Sequence, residues 1–236
     1  MPSLLRTKFA RQIKAAMPAP ALDAYAVLLQ RYGRTSYAQE GEDMVLEGFL
    51  EGIHHGFYVD VGAFHPMCFS NTYRFYRRGW HGINVEPNPD VAWKFKLLRP
   101  RDRHVQAGVA AKPGQLTWLR FEHEALNTFD VQRAQQLERL GHHVTSRQPV
   151  QVLRLETLLD KYAQGRVIDF LSVDAEGMDL EVLRTNAWTR HRPRFVLAES
   201  HVLSLREPDA CPIVGFMAEQ GYKLVARTQR TAFFRA

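Results

Sequence analysis

The stretch GFYVDVGA, residues 56–63, carries the strongest fold signal in this sequence, and GINVEP, residues 82–87, follows it with room for one helix between them. Each is a short apolar strand that ends in an acid. Asp60 precedes a tight turn at Gly62, and Glu86 precedes a proline. Two such strands are typical of the start of a nucleoside-binding α/β sheet, in which the first loop approaches the ligand closely and the second acid binds the ribose hydroxyls.

The loop after the first strand distinguishes between nucleoside cofactors. A dinucleotide requires several glycines whose bare amides meet the pyrophosphate, whereas Gly62 stands almost alone here. The Asp60 carboxylate would repel a phosphate and attract an ammonium or a sulfonium. We therefore predict S-adenosylmethionine as the cofactor, with Asp60 and Gly62 at its methionine end and Glu86 on its ribose. The alternatives are a helix cap for Asp60 and a surface charge for Glu86.

The order of apolar and polar segments predicts one α/β domain over residues 36–236, with a mainly parallel sheet and helices on both faces. The polar segment 122–149 is expected to be an insertion that covers the substrate. Strands are expected at 57–62, 82–86, 104–110, 115–121, 150–155, 167–174 and 194–199, and an antiparallel pair at 222–228 and 231–235. Helices are expected after 36–43, at 70–78, 89–98 and 131–140, up to 163, and at 178–186 and 210–220.

The net charge of +6 is unevenly placed along the chain. Residues 1–35 hold six Lys and Arg against Asp23 alone, so the rest of the chain is nearly neutral. This distribution argues against a domain built to bind nucleic acid. Residues 1–35 are predicted to form a basic helical arm, with helices over 4–17 and 21–32. The arm would pack on the domain or a sister subunit, or alternatively contact an anionic membrane surface; a homo-oligomer is left open.

Cysteine usage and hydropathy bear on location. Cys68 and Cys211 are too few for a disulfide framework or a zinc site, and they are expected to be reduced. No run approaches the roughly 18 apolar residues that span a bilayer. Basic residues interrupt the apolar stretches near the N-terminus, which argues against a secretory signal. We therefore expect a cytoplasmic protein.

Five motifs together resemble the FkbM family of S-adenosylmethionine-dependent methyltransferases. They are SYAQEGED at 36–43, GFYVDVGAFHP at 56–66, SNT at 70–72, GWHGINVEP at 79–87 and IDFLSVDAEG at 168–177. The resemblance implies a class I methyltransferase (Rossmann-like) fold, which is a mainly parallel seven-stranded sheet with a C-terminal antiparallel hairpin. It also implies O-methylation of a hydroxyl, often on a sugar or a polyketide-derived product.

Further cofactor contacts are expected around these motifs. Gln39 would close over the amino-acid end of the cofactor, or simply start a helix. Asn71 would contact the cofactor carboxylate or the acceptor, or else cap the next helix. Ala63 belongs to the close-approach loop. Strand three ends without the acid that commonly binds adenine, so Gln106 or the backbone at Ala107 is expected there.

Asp174 and Glu176 are the main catalytic candidates, because they follow the most apolar strand at the sheet edge where ligands bind. They would orient the acceptor hydroxyl, take its proton or bind a divalent metal ion, and the metal question stays open. Glu199 is a plausible third acid at this edge. His65 and His201 are candidate bases, with a structural hydrogen-bonding role as the alternative for each.

The resemblance to the FkbM family implies O-methylation of a carbohydrate, a glycoconjugate or a related natural product. The alternatives are methylation of nucleic acid or another small molecule, an NAD-dependent oxidoreductase, and a non-catalytic assembly or membrane-docking protein. The aromatic and basic residues 73–80 are interpreted as a helix packed on the sheet rather than as a nucleic-acid surface.

Overall fold

A computed structural model describes Pro18, residues 33–200, Ser204 and residues 206–236. The helices predicted at 4–17 and 21–32 lie outside the described residues. The strands are β1 (Phe57–Val61), β2 (His81–Val85), β3 (Arg103–Val105), β4 (Gly108–Val109), β5 (Gly114–Phe121), β6 (Val144–Leu153), β7 (Phe170–Val173), β8 (Phe195–Glu199), β9 (Lys223–Arg227) and β10 (Thr231–Arg235). The α-helices are α1 (Glu42–Phe49), α2 (Tyr73–Arg77), α3 (Pro89–Leu98), α4 (Val131–Arg139), α5 (Leu155–Tyr162), α6 (Asp179–Arg184) and α7 (Pro212–Glu219).

Seven strands form the main sheet in the order β3-β2-β1-β7-β8-β10-β9. The first five run parallel, and β10 is antiparallel to both β8 and β9. This arrangement confirms the predicted Rossmann-like sheet with its C-terminal hairpin. Because parallel strands end at one edge, the acids that follow β2 and β7 and the acid that ends β8 are brought to that edge.

Side chains of the central strands alternate between two buried layers. Tyr58 and Phe170 pack with α1 and α2 on one face, and Val59 and Leu171 pack with α5, α6 and α7 on the other. A strand covered on both faces is apolar throughout, which is why β1 and β7 are such strong signals in the sequence. Trp80 is also buried against Phe170, which confirms that the aromatic residues of 73–80 belong to the core.

A second sheet of three strands, in the order β4-β6-β5, stands apart from the main sheet. The single strand predicted at 104–110 is wrong, because the chain turns at the exposed Gln106 and divides it between the two sheets. Strand β6 begins six residues before the predicted position at 150. Its residues alternate between half-buried and exposed, so the first six residues lack the apolar run that marks a buried strand. Helix α4 packs on β5 through Leu137.

None of the helices in the described part of the chain has the length and hydrophobicity needed to cross a membrane.

Candidate functional site

The carboxyl edge of the main sheet opens into a cleft, which the small sheet and its connections also line. Acids dominate its wall. Seven carboxylates line it, and Arg230 is the lining residue with a permanent positive charge in the described ranges. The seven are Glu40, Glu42, Glu86, Glu124, Asp174, Glu176 and Glu199.

Seven of the predicted site residues meet in this cleft, although they come from separate parts of the sequence. Their convergence follows from the parallel topology, since the loops after β1, β2, β3 and β7 all leave from the same edge. The seven are Gln39, Gly62, Asn71, Glu86, Ala107, Asp174 and Glu176.

Gly62 turns the chain at the end of β1 with a φ of 79°. Its amide and that of Ala63 both donate to the carbonyl of Val85, at 3.0 and 3.1 Å, and this ties the loop to β2. A Cβ atom on Gly62 would lie 1.7 Å from the carbonyl oxygen of Asp174. Glycine is therefore required here by the close approach of two loops as well as by the backbone conformation.

Glu86 is buried at the end of β2, and both its carboxylate oxygens accept backbone hydrogen bonds. Phe64 N donates to Oε2 and Asn88 N donates to Oε1, each at 2.8 Å. Burial raises the pKa of this carboxyl to about 7, and the two backbone amides oppose the shift. Each oxygen has a second lone pair, so the group has the acceptor capacity for two hydroxyls.

Asp174, Glu176 and Glu199 place one carboxylate oxygen each within 4.8 Å of one another. Burial and the repulsion from Glu199 raise the pKa of Asp174 well above its usual range and that of Glu176 to about 8. Asp174 Oδ1 is buried and has no hydrogen-bond partner among the described residues. A cluster of this kind can accept a proton from a bound hydroxyl or hold a divalent cation.

A model of the family described as "Methyltransferase FkbM domain" matches residues 60–224. The chain belongs to the FkbM methyltransferase family. The match runs from β1 to β9 and includes five of the seven acids that line the cleft. This membership leaves the oxidoreductase alternative without support.

Among solved structures, the C-terminal domain of precorrin-6Y C5,15-methyltransferase from Rhodobacter capsulatus is similar, at 12% identity and a TM-score of 0.44. The similarity covers 86% of this chain and 90% of that one. None of the curated proteins matches this sequence.

The carboxylate of Asp60, which the sequence analysis expected beside the cofactor, does not line the cleft. Strand alternation places Asp60 on the same face as Tyr58, under the start of α2. There its Oδ2 accepts a hydrogen bond from Thr72 Oγ1 at 2.9 Å. Burial raises the pKa of Asp60 to about 6. The side chain belongs to a polar network beneath the cleft.

Arg99 is the centre of that network, and the sequence analysis missed it. Its side chain is fully buried and its Nε donates to Asp102 Oδ2 at 2.8 Å. Its Nη2 donates to Tyr58 Oη at 2.8 Å and to Thr72 Oγ1 at 3.0 Å, and its Nη1 donates to the carbonyl of Pro66 at 2.9 Å. The surrounding sequence RPRDR gives no sign that one of its arginines is buried.

Two other predicted cofactor residues, Ala63 and Gln106, lie away from the cleft lining. Ala63 is buried with Val91 and Phe95 of α3, so its side chain supports the loop from behind. Gln106 is exposed at the turn between the two sheets. Next to it, Ala107 does line the cleft.

His65 is not placed as a catalytic base. It does not line the cleft, and its Nδ1 accepts hydrogen bonds from the amides of Met67 and Cys68 at 3.2 and 3.1 Å. An Nδ1 that accepts must lack a proton, so in the neutral ring the proton is on the other nitrogen. Burial lowers the pKa of His65 further. The residue shapes the loop, and His201 lies outside the described residues.

Ser70 and Asn71 of the SNT motif have different surroundings. Ser70 Oγ accepts from the amide of Tyr73 at 3.1 Å, as a helix-capping residue would. Asn71 instead lines the cleft and donates from Nδ2 to Ser172 Oγ at 3.0 Å. The side chain of Asn71 is thus held by the strand that leads to Asp174.

The leading SYAQEGED motif places Gln39 at the cleft by attaching the chain to the C-terminal hairpin. Arg230 N donates to Glu40 Oε2 at 2.9 Å, and Thr231 Oγ1 donates to Glu42 Oε1 at 3.1 Å. The fully buried Asp43 accepts from the amide of Tyr37 at 2.8 Å. The motif's acids therefore fold the segment onto the domain.

The insertion holds the turn that carries Glu176. The backbone of Glu176 has a φ of 48°, which is unusual for a residue other than glycine. Its carbonyl accepts a hydrogen bond from the buried Thr128 Oγ1 at 2.9 Å. Arg133 Nη2 of α4 lies 3.9 Å from Glu176 Oε2. The polar segment that sequence analysis expected to cover the substrate thus contacts the predicted catalytic turn.

Proposed function

We propose that this methyltransferase uses S-adenosylmethionine to methylate a hydroxyl of a carbohydrate, a glycoconjugate or a related natural product. One observation carries the cofactor assignment: among the described residues, seven carboxyl groups and one arginine line the cleft. Such a wall favours a cationic ligand and disfavours phosphates. S-adenosylmethionine supplies a methyl group on a positively charged sulfur, with no phosphate. The same charge argues against nucleic acid as the acceptor.

The cleft residues fit the parts of this cofactor. Glu86 would accept the two ribose hydroxyls with the acceptor positions that its backbone bonds leave open. Gly62 allows the ligand to approach the backbone at the end of β1. Gln39 and Asn71 offer amide groups for the amino-acid end, and the backbone at Ala107 lies in the wall for adenine.

The acidic cluster at the end of β7 and β8 would serve the acceptor. As an oxygen–carbon bond forms and the carbon–sulfur bond breaks, the hydroxyl must lose its proton. A base works best when its pKa lies near the working pH, and that of Glu176 is raised to about 8. We assign Glu176 as the base, and Asp174 and Glu199 as groups that orient the acceptor for in-line transfer.

The exposed ring of Phe69 favours an acceptor that has one apolar face. Phe69 lines the cleft and is 51% exposed, which is unusual for a large aromatic side chain. A sugar ring combines such a face with hydroxyls that carboxylates can accept. Phe64 stacks on Phe69 with ring centroids 6.1 Å apart.

The test is incubation with methyl-labelled S-adenosylmethionine and separate panels of glycosides, simple alcohols, amines and RNA. We expect label in an alkali-stable methyl ether of a glycoside or a related alcohol. Glu176→Gln should remove the transfer, whereas the same change at the exposed Glu51 should not. Transfer to amines or RNA alone would contradict the acceptor class, and full activity of Glu176→Gln would contradict the assigned base.

A further inference from the structure

We propose that Arg99 is a positioning residue, which fixes the loop of residues 62–71 in the conformation that binds the cofactor. The identity of that cofactor rests on the proposed function. Whether the loop is ordered does not depend on the proposed function, and it can be measured without any ligand.

The loop has a conformation that its own sequence does not favour. Phe64 and Phe69 have φ angles of 50° and 52°, in a region that residues with large side chains avoid. Both of them line the cleft, as do Gly62 and Asn71. Unfavourable backbone conformations persist only where the surrounding structure determines them, and they are frequent at ligand sites. The contacts that hold this loop are therefore informative.

Arg99 supplies contacts to the middle and the end of the loop. Its Nη1 donates to the carbonyl of Pro66 at 2.9 Å, and its Nη2 donates to Thr72 Oγ1 at 3.0 Å, directly after the loop. Thr72 in turn donates to Asp60 Oδ2 at 2.9 Å, below the point where β1 enters the loop. One buried guanidinium thus contacts Pro66 and Thr72 directly and reaches Asp60 through the Thr72 hydroxyl.

The same network reaches the strand that carries the predicted ribose acceptor. Asp102, which pairs with Arg99, accepts hydrogen bonds from Gly82 N at 2.9 Å and from Asn84 Nδ2 at 2.8 Å. Both residues belong to β2, which leads directly to Glu86. The same hydrogen-bond network therefore holds both the loop and Glu86, so the two halves of the cofactor site keep a fixed separation.

A buried ion pair does not by itself indicate a role in stability, because apolar side chains of similar volume often make the folded state as stable or more stable. A planar guanidinium differs in that it imposes directions on all its acceptors. The arrangement around Arg99 therefore fits a role in geometry. We infer that weakening it disorders the loop before it unfolds the domain.

Thr72 is the residue to change, because an Arg99 variant would leave Asp102 buried without its charged partner. Thr72→Val keeps the shape and removes the hydroxyl that joins Arg99 to Asp60, and Thr72→Ser restores that hydroxyl. Thr185→Val is the matched control. Thr185 is equally buried and its hydroxyl accepts from Leu155 N at 2.9 Å, on the opposite face of the sheet.

Two measurements are made on the full chain: hydrogen exchange of the amides of residues 62–72 without ligand, and calorimetric titration with S-adenosylmethionine. For Thr72→Val we expect faster exchange in this segment and a dissociation constant raised by about tenfold, since fewer molecules have the competent loop. The binding stoichiometry should stay near that of the wild type, because the domain remains folded. Thr72→Ser should resemble the wild type.

Thr185→Val separates positioning from general stability. We expect it to lower the unfolding midpoint without changing loop exchange or the dissociation constant. Unchanged loop exchange in Thr72→Val, or the same change in Thr185→Val, would overturn the proposal. If the wild type does not bind S-adenosylmethionine, the proposed function fails, and the exchange measurement still decides the role of the network.

Discussion

Replacing Gly62 by alanine tests whether the approach of two loops at the cleft is as close as the structure shows. The added Cβ would lie 1.7 Å from the carbonyl oxygen of Asp174, whereas real Cβ contacts are hardly ever shorter than 3.0 Å. The loop after β1 and the turn after β7 would have to separate. Gly79→Ala is the matched control, since Gly79 has a φ of 97° and open space around the added atom.

The comparison of these two glycines gives the expected magnitude. Alanine with a left-handed backbone costs roughly 1–2 kcal/mol, which is the whole effect expected for Gly79→Ala. Gly62→Ala adds overpacking, which typically costs about 1–3 kcal/mol. We therefore expect Gly62→Ala to lower the free energy of unfolding by roughly 2–5 kcal/mol.

Urea unfolding followed by tryptophan fluorescence measures the two stabilities, and calorimetry measures S-adenosylmethionine binding. Gly62→Ala should also weaken binding by more than about tenfold, because a shift of the loop misplaces the site. Gly79→Ala should leave binding unchanged. Equal losses of stability in the two variants, with normal binding in both, would refute the close approach of Gly62 to Asp174.

Three further predictions follow from the site. Glu86→Gln should weaken S-adenosylmethionine binding by about tenfold or more in calorimetry, because one buried amide and the ribose lose a charged acceptor; normal affinity would exclude Glu86 from the site. The raised pKa of Glu176 means that the folded chain binds more protons than the unfolded chain between about pH 4.5 and 8. Stability from this group is therefore lost as the pH rises through about 8, and Glu176→Gln should flatten the pH dependence of urea unfolding, unlike Glu51→Gln. Thr128→Val should lower methyl transfer by about tenfold while cofactor affinity stays normal, because it releases the Glu176 turn. Thr145→Val, which removes a hydroxyl bonded to the Arg120 carbonyl elsewhere in the insertion, should lower neither.

The main sheet could be predicted from the sequence because its signals are local. A buried strand that ends in a glycine or an acid is complete within a few residues, as at residues 56–63 and 82–87. Glu86 could be placed for the same reason, since the end of a parallel strand always faces the ligand edge. Strand β6 was predicted too short, because its half-exposed polar residues resemble a loop.

The network below the cleft could not be predicted, because it depends on contacts between distant segments. Arg99 is buried only because Asp102, Tyr58, Thr72 and a loop carbonyl converge on it. Asp60 has the right position in the sequence for a cofactor ligand. Whether its side chain faces the cleft or the core, however, depends on which face of β1 the first helix covers. The role of His65 could not be predicted either, because it depends on two backbone amides that donate hydrogen bonds to its ring.

The central claim is that the acidic cleft selects a cationic, phosphate-free nucleoside. Calorimetric titration of the wild-type chain with S-adenosylmethionine and, separately, with NAD tests it most directly. The predicted result is one S-adenosylmethionine bound per chain, with no heat from NAD. Binding of NAD, or of neither compound, would contradict the claim.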